Sequence, residues 1–242
     1  MAGKRKNNII CTGRINERVA EMKTNSADLK QYVIDFVEGR VEARDFMIRF
    51  RDDPALAEWL QSIVPEGKVS YIVVPDESTW SGYSNAPVPF DIFLAIGESV
   101  QHPDRLGKQL NVHGTISRLM LEAFPNDDIK ESNKIEKRFD FLLKHCPRSV
   151  GGPEADPYIE KILNEIPEDL PTKTRIQMFR ARIKEEFHLD GKRYPYWLQE
   201  AEWPMNNGKP MRYVSQASKG EMRFYLFEDV ETGEERVVFQ SY

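Results

Sequence analysis

Apolar residues over the first three quarters of the chain recur mostly at helical spacing. Leu29, Tyr32, Val33, Phe36 and Val37 fall at i, i+3, i+4, i+7 and i+8, one stripe of an α-helix that Gly39 is placed to end. A second short helix should carry Phe46, Met47 and Phe50. Asp53-Pro54 then reads as an N-cap followed by proline at the first helical position, and Leu56, Trp59, Leu60, Ile63 and Val64 repeat the stripe. Three amphipathic helices on short connections predict a small antiparallel bundle. Further stripes follow: Val112, Ile116, Leu119, Met120 and Phe124; Ile135, Phe139, Leu142 and Leu143; Tyr158, Ile159, Ile162, Leu163 and Ile166 behind Asp156-Pro157; and Ile176, Phe179, Ile183 and Phe187 behind a Thr172 cap. Gly191 is placed to close the helical part. Residues 1 to 24 are polar and basic, with at most a short helix from Ile15 to Met22, and the first dozen are expected to be poorly ordered.

The period changes to two in the last fifty residues. Pro195 and Pro204 hold their predecessors out of the helical basin, and Asn206-Asn207-Gly208 supplies residues that tolerate positive φ, so the chain reverses there. Met211 to Gln216 and Met222 to Glu228 predict a hairpin around Ser218-Lys219-Gly220, and Arg236 to Gln240 returns as a last strand with Val237 and Phe239 on one face. Both faces of Met222 to Phe227 are apolar, which predicts a helical layer on one side and at least partial cover on the other. Earlier, Val69 to Val74 is a β-branched run placed to extend this C-terminal sheet. Asp76 to Pro89, with Trp80, Tyr83, Pro87 and Pro89, has the composition of a long surface loop. The fold class that results is α+β: a mainly helical part over 25–190, then an antiparallel β-meander over 191–242 packed against the helices as one unit.

With 40% hydrophobic and 11% aromatic residues the chain can bury a real core. A formal net charge of −5 argues against a general nucleic-acid surface and against an anionic membrane surface, and favours a basic protein as partner. Cys11 and Cys146 lie far apart with no second ligand beside either, so neither a disulfide framework nor a zinc cluster is expected. A reducing, cytoplasmic setting fits that usage, and no run reaches transmembrane length.

Chemistry-bearing patterns are sparse. His102, His113, His145 and His188 are scattered, and no phosphate loop, nucleophile elbow or dinucleotide fingerprint occurs; Gly151-Gly152 lies in a polar linker. His145-Cys146 can be drawn as base and nucleophile, but neighbours at a helix end point in different directions, which leaves a structural thiol. Asp53 with Glu66 and Lys68 echoes the carboxylate and Glu-x-Lys pattern of metal-dependent nucleases, although Asp53 is explained as a cap and Glu66-Gly67-Lys68 as a turn. The acidic run Glu228, Asp229, Glu231, Glu234 and Glu235 reads as a solvated hairpin end rather than a metal site. No catalytic residue, cofactor or metal is therefore expected.

The phrase WLQEAEWPMNNGKPMRYVSQ, followed by RFYLFEDVETGE and VVFQ, resembles the ending of small bacterial proteins of the polymorphic-toxin immunity type. The opening helices, with DFVEGRVEARDFMIRF and DDPALAEWL, resemble theirs as well. The resemblance implies a cytoplasmic binding protein that shields its producer from a cognate toxin, and the acidic balance favours a basic toxin domain as the partner. It brings no active-site residues. Two places qualify for partner binding on their residue types: the loop with Trp80 and Tyr83, and the acidic tip with Glu231 and Glu234, which one sheet would bring to the same side. A metal-dependent nuclease or other hydrolase is the enzymatic alternative, and a phage or bacterial accessory scaffold protein the structural one.

Overall fold

The apolar stripes fold as helices in the computed structural model, which describes residues 26–75, 83–189 and 194–241. The predicted short helix from Ile15 to Met22, Trp80 and Gly191 lie outside the described residues. Helix α1 covers residues 26–37. Gly39 ends it with φ 77° and a bond from its N–H to the Phe36 carbonyl at 3.0 Å. Helix α2 (Ala43–Asp52) turns Phe46 onto Phe36, the two rings stacked with centroids 3.8 Å apart. Asp53 caps α3 (Pro54–Ser62), its carboxylate accepting from the Ala55 N–H at 3.1 Å. Asp91 does the same for the short α4 (Ile92–Ile96), and α5 (Leu106–Ala123) brings buried His113 beneath them. The imidazole Nε2 of His113 donates to the Val37 carbonyl at 3.1 Å and its ring meets the edge of Phe36, so this histidine is a satisfied core residue. Val33, Phe36, Phe46, Met47, Leu60, Ile92 and Ile116 form the fully buried centre of this first unit, which runs to Glu136.

Strand β1 (Val69–Pro75) does not join the C-terminal sheet. It pairs antiparallel with β2 (Tyr83–Pro89) as a separate two-stranded ribbon, in register from Val69 opposite Pro89 to Pro75 opposite Tyr83. Half of the expected long loop is therefore strand. Pro87 and Pro89 concealed it, because each lacks the N–H a strand uses; a strand of a two-stranded ribbon has a free edge, where a missing donor is tolerated.

The second unit runs from Lys137 to the C-terminus, so the division falls within α6 (Lys134–His145) and not at the helix-to-sheet transition near residue 191. Phe141 of α6 meets Phe179 of α8 (Thr172–Glu186) edge to face at 5.7 Å. Helix α7 (Asp156–Asn164) is preceded by Ala155 as N-cap and α8 by Pro171, neither with a side-chain cap bond. Asp156 and Thr172 are thus first helical residues rather than caps; Asp156 instead accepts from the Gly152 N–H at 2.9 Å.

After the helices, β3 (Met205–Asn206) and β4 (Lys209–Pro210) form a minimal hairpin. Asn207 and Gly208 hold its two-residue turn with φ 46° and 74°, the pair of positive values that residue types Asn-Gly satisfy at least cost. A three-stranded antiparallel sheet in the order β5-β6-β7 closes the chain, from β5 (Arg212–Lys219), β6 (Met222–Glu228) and β7 (Glu235–Ser241). Its inner face packs on the helices of the same unit. Trp203 is 1% exposed, its indole edge-on to Phe187 and Phe227 and its N–H bonded to the Met211 carbonyl at 2.8 Å. Trp197 tilts over Tyr225 and donates to the Ser149 carbonyl. The protein is α+β, with helices first and an antiparallel meander packed against helices last. Among the described residues no helix is long and apolar enough to cross a membrane.

Candidate protein-binding surface

The acidic tip is built by Asp229, the first residue after β6. Its carboxylate accepts from the backbone N–H of Thr232 at 2.7 Å and of Glu231 at 2.8 Å, and from the Asn206 side-chain amide at 2.8 Å. The Thr232 N–H, together with Asn206 and the Glu231 N–H, holds this carboxyl below the usual carboxylate range. Asp229 is buried and its oxygens are spent on shaping the turn. Glu231 is exposed and ion-paired with Lys209, and it lines a hollow of about 310 Å³ with Glu186 and His188. Glu234 accepts from Asn206 at 3.3 Å, while Glu228 pairs with Arg212 at 2.6 Å across the sheet. Of the sequence-nominated residues, Glu231 and Glu234 are thus brought together through Asn206, Asp229 and Lys209. Tyr83 opens β2 in the separate ribbon, so no common sheet joins it to the tip.

Strand β7 carries a feature the sequence stripe did not expose. Its inner face holds Arg236, Val238 and Gln240. Buried Gln240 uses its amide fully: Oε1 accepts from the Leu198 and Gln199 N–H groups at 2.9 and 3.1 Å, and Nε2 donates to the Glu200 carbonyl at 2.8 Å. Val237 and Phe239 share the opposite face, as their alternation requires, and that face is open: they are 56% and 62% exposed. Across the register Val237 lies opposite half-buried Leu226 and Phe239 opposite half-buried Phe224, with exposed Met222 at the strand end, so these side chains form one apolar strip. Cover on this side of the sheet is partial among the described residues: Phe224 and Leu226 are half-buried while Met222, Val237 and Phe239 are exposed.

The outer edge of β7 is also accessible. The Asp229 N–H bonds the Glu234 carbonyl at 2.8 Å at the hairpin end, which sets the alternation so that residues 236, 238 and 240 bond β6 while 235, 237, 239 and 241 point outward. The Ser241 carbonyl confirms this phase by accepting from the Gln199 side chain at 2.7 Å. No described residue bonds the outward groups of Val237 or Phe239. Beneath this edge runs a groove of about 410 Å³ lined by Glu154, Glu202, Trp203, Pro204, Val238 and Phe239. Arg236 neutralises Glu154 through a bidentate pair at 2.7 and 3.0 Å, whereas no described cation pairs with exposed Glu202.

The enzymatic patterns resolve differently. Burial, with Asp156 nearby, pushes the Cys146 thiol up to about 12, so it stays protonated at neutral pH. Asp53 caps α3 and Lys68 is ion-paired with Glu122. Among the described residues, no three His, Cys, Asp or Glu side chains converge as metal ligands would. No family model, curated protein or solved structure matches the chain.

Proposed function

We propose that the chain is a non-catalytic protein-binding protein of the immunity type, which neutralises a toxin by docking its C-terminal sheet on a basic domain. One observation carries this reading: the contiguous apolar strip on β6 and β7, in which Met222, Val237 and Phe239 are exposed and Phe224 and Leu226 half-buried between them, bordered by the carboxylates of the tip. A single exposed valine needs no explanation, but an aromatic and aliphatic strip across two paired strands does. Carboxylates around such a strip raise the rate of encounter with a basic partner and select against acidic ones.

The test pairs the chain with basic proteins encoded in neighbouring reading frames. Wild type should restore the growth of cells producing the toxic one and bind it when both are purified. Phe239→Glu changes an exposed side chain, so its melting temperature should match wild type while protection is lost and binding is weakened. Full protection by Phe239→Glu overturns the surface assignment, and failure of wild type to protect against or bind any of them overturns the immunity reading.

A further inference from the structure

The edge of β7 and the groove beneath it carry a more specific inference, which rests on the protein-binding reading. The two edges of the sheet differ. Strand β5 is interrupted by a bulge between Tyr213 and Ser215 and ends on Lys219, both of them features that discourage pairing with another chain. Strand β7 pairs with β6 in unbroken register from Glu235 to Ser241, and its centre, Val237 to Phe239, bears no charge, proline or bulge. Two consecutive outward positions, Val237 and Phe239, offer an N–H and a carbonyl each to whatever lies alongside.

We propose that β7 receives an extended segment of a basic protein as a fourth strand, with lysine or arginine side chains of that segment entering the groove toward Glu202. Successive side chains of an added strand point to opposite faces. One set would lie beside Val237 and Phe239, extending the open apolar strip, and the other would enter the groove over Trp203, Pro204 and Val238. Main-chain bonds to residues 237 and 239 supply affinity without sequence demand, and the groove supplies selection. The charge of the groove sets its sign. Glu154 is answered by Arg236, which leaves the Glu202 carboxylate uncompensated, with Glu234 and Glu235 at one end of the strand. With Arg236 occupied by Glu154, a cation entering there is attracted by Glu202 and by the acidic end of the strand, and a carboxylate is repelled by them.

The proposal can be tested on the full chain with labelled synthetic peptides of about nine residues, long enough to span a typical strand. One alternates valine and lysine, a second replaces lysine by glutamate, and a third is the lysine peptide with N-methyl groups on alternate residues. The lysine peptide should bind at least about tenfold more tightly than the glutamate peptide, and N-methylation of the bonding edge should cost at least about tenfold, since it removes main-chain donors without altering side chains. Val237→Pro removes an outward N–H without removing a donor to β6 and keeps the position apolar, so it should weaken the lysine peptide similarly while leaving the circular dichroism spectrum unchanged. Glu202→Lys should erase the preference for lysine over glutamate. Equal affinity for the two charge types overturns the groove assignment. Binding that survives both N-methylation and Val237→Pro but falls with Phe239→Ser overturns strand addition and leaves protein binding by the apolar face intact. A wild-type chain that dimerises through β7, detected by sedimentation and lost in Val237→Pro, replaces the foreign segment with a second copy and overturns the proposal. No lysine-peptide binding at all also overturns it, while the growth test above decides the broader reading separately.

Discussion

Trp203 joins three parts of the C-terminal unit through one side chain: Phe187 behind α8, Phe227 on β6, and the Met211 carbonyl that receives its indole N–H. Truncation to alanine removes that packing and leaves a buried acceptor unpaired, so Trp203→Ala should destabilise by about 3–5 kcal/mol, read as a lower midpoint in urea denaturation. Gly152 is a second fixed point. It sits at φ 112°, and a β-carbon there would stand 2.4 Å from the Ala201 carbonyl oxygen. Gly152→Ala should therefore cost about 1–3 kcal/mol through backbone strain and clash, measured the same way. Trp203 was legible in the sequence because a tryptophan beside turn and strand signals has few places to go but a core. Gln240 was not. A glutamine near the end of a strand reads as surface, and its burial makes sense only once Leu198, Gln199 and Glu200, some forty residues earlier, supply the backbone groups that satisfy it.

At the scale of elements, helices were legible wherever an apolar stripe met a local stop, as at Gly39 and Asp53-Pro54, because those signals act within a few residues. Strands were legible only where turn residues framed them. The Asn207-Gly208 turn and the β5–β6 hairpin followed from local chemistry, but β2 was hidden by its prolines and the partner of β1 could not be read from β1 alone. How much of the outer side of β6 and β7 stays exposed was not legible for a related reason: an apolar face in sequence does not tell whether the protein itself or a partner covers it. The β6–β7 tip also makes a pH prediction. The Asp229 carboxyl is held below its ordinary range by the Thr232 N–H first, then Asn206 and the Glu231 N–H. A carboxyl depressed on folding adds stability that is complete above its unfolded-state pKa and disappears as pH falls through the folded value. The tip should be closed at neutral pH and open in acid, seen as faster amide exchange at Glu231 and Thr232, after correction for the intrinsic pH dependence of exchange, than at the Leu226 amide in mid-strand. Asp229→Asn, which cannot ionise, should remove most of that pH dependence.

Each unit has its own core, one around Phe36 and Phe46, the other around Trp203, Tyr225 and Phe227. What the whole molecule adds is a field. With a formal net charge of −5, the chain attracts cationic partners at distances where individual contacts do not act, and that attraction sums over charges whether or not they are paired locally. Glu231 shows why this matters, since its ion pair with Lys209 makes it look neutralised at close range. Reversing Glu231 and Glu234 to lysine changes the sign of two exposed groups beside the apolar strip and shifts the total charge toward neutrality. Association with a basic partner should slow by about tenfold at low ionic strength, and the difference from wild type should shrink as salt screens the field. Dissociation should change little, because the strip of Val237 and Phe239 and the main-chain edge of β7 are untouched. Phe239→Glu should do the opposite, with dissociation accelerated and the on-rate altered less. Stopped-flow or surface-binding kinetics across a salt series separates the two variants, and an on-rate in the double reversal that keeps the wild-type salt slope would place the approaching partner away from this end of the sheet.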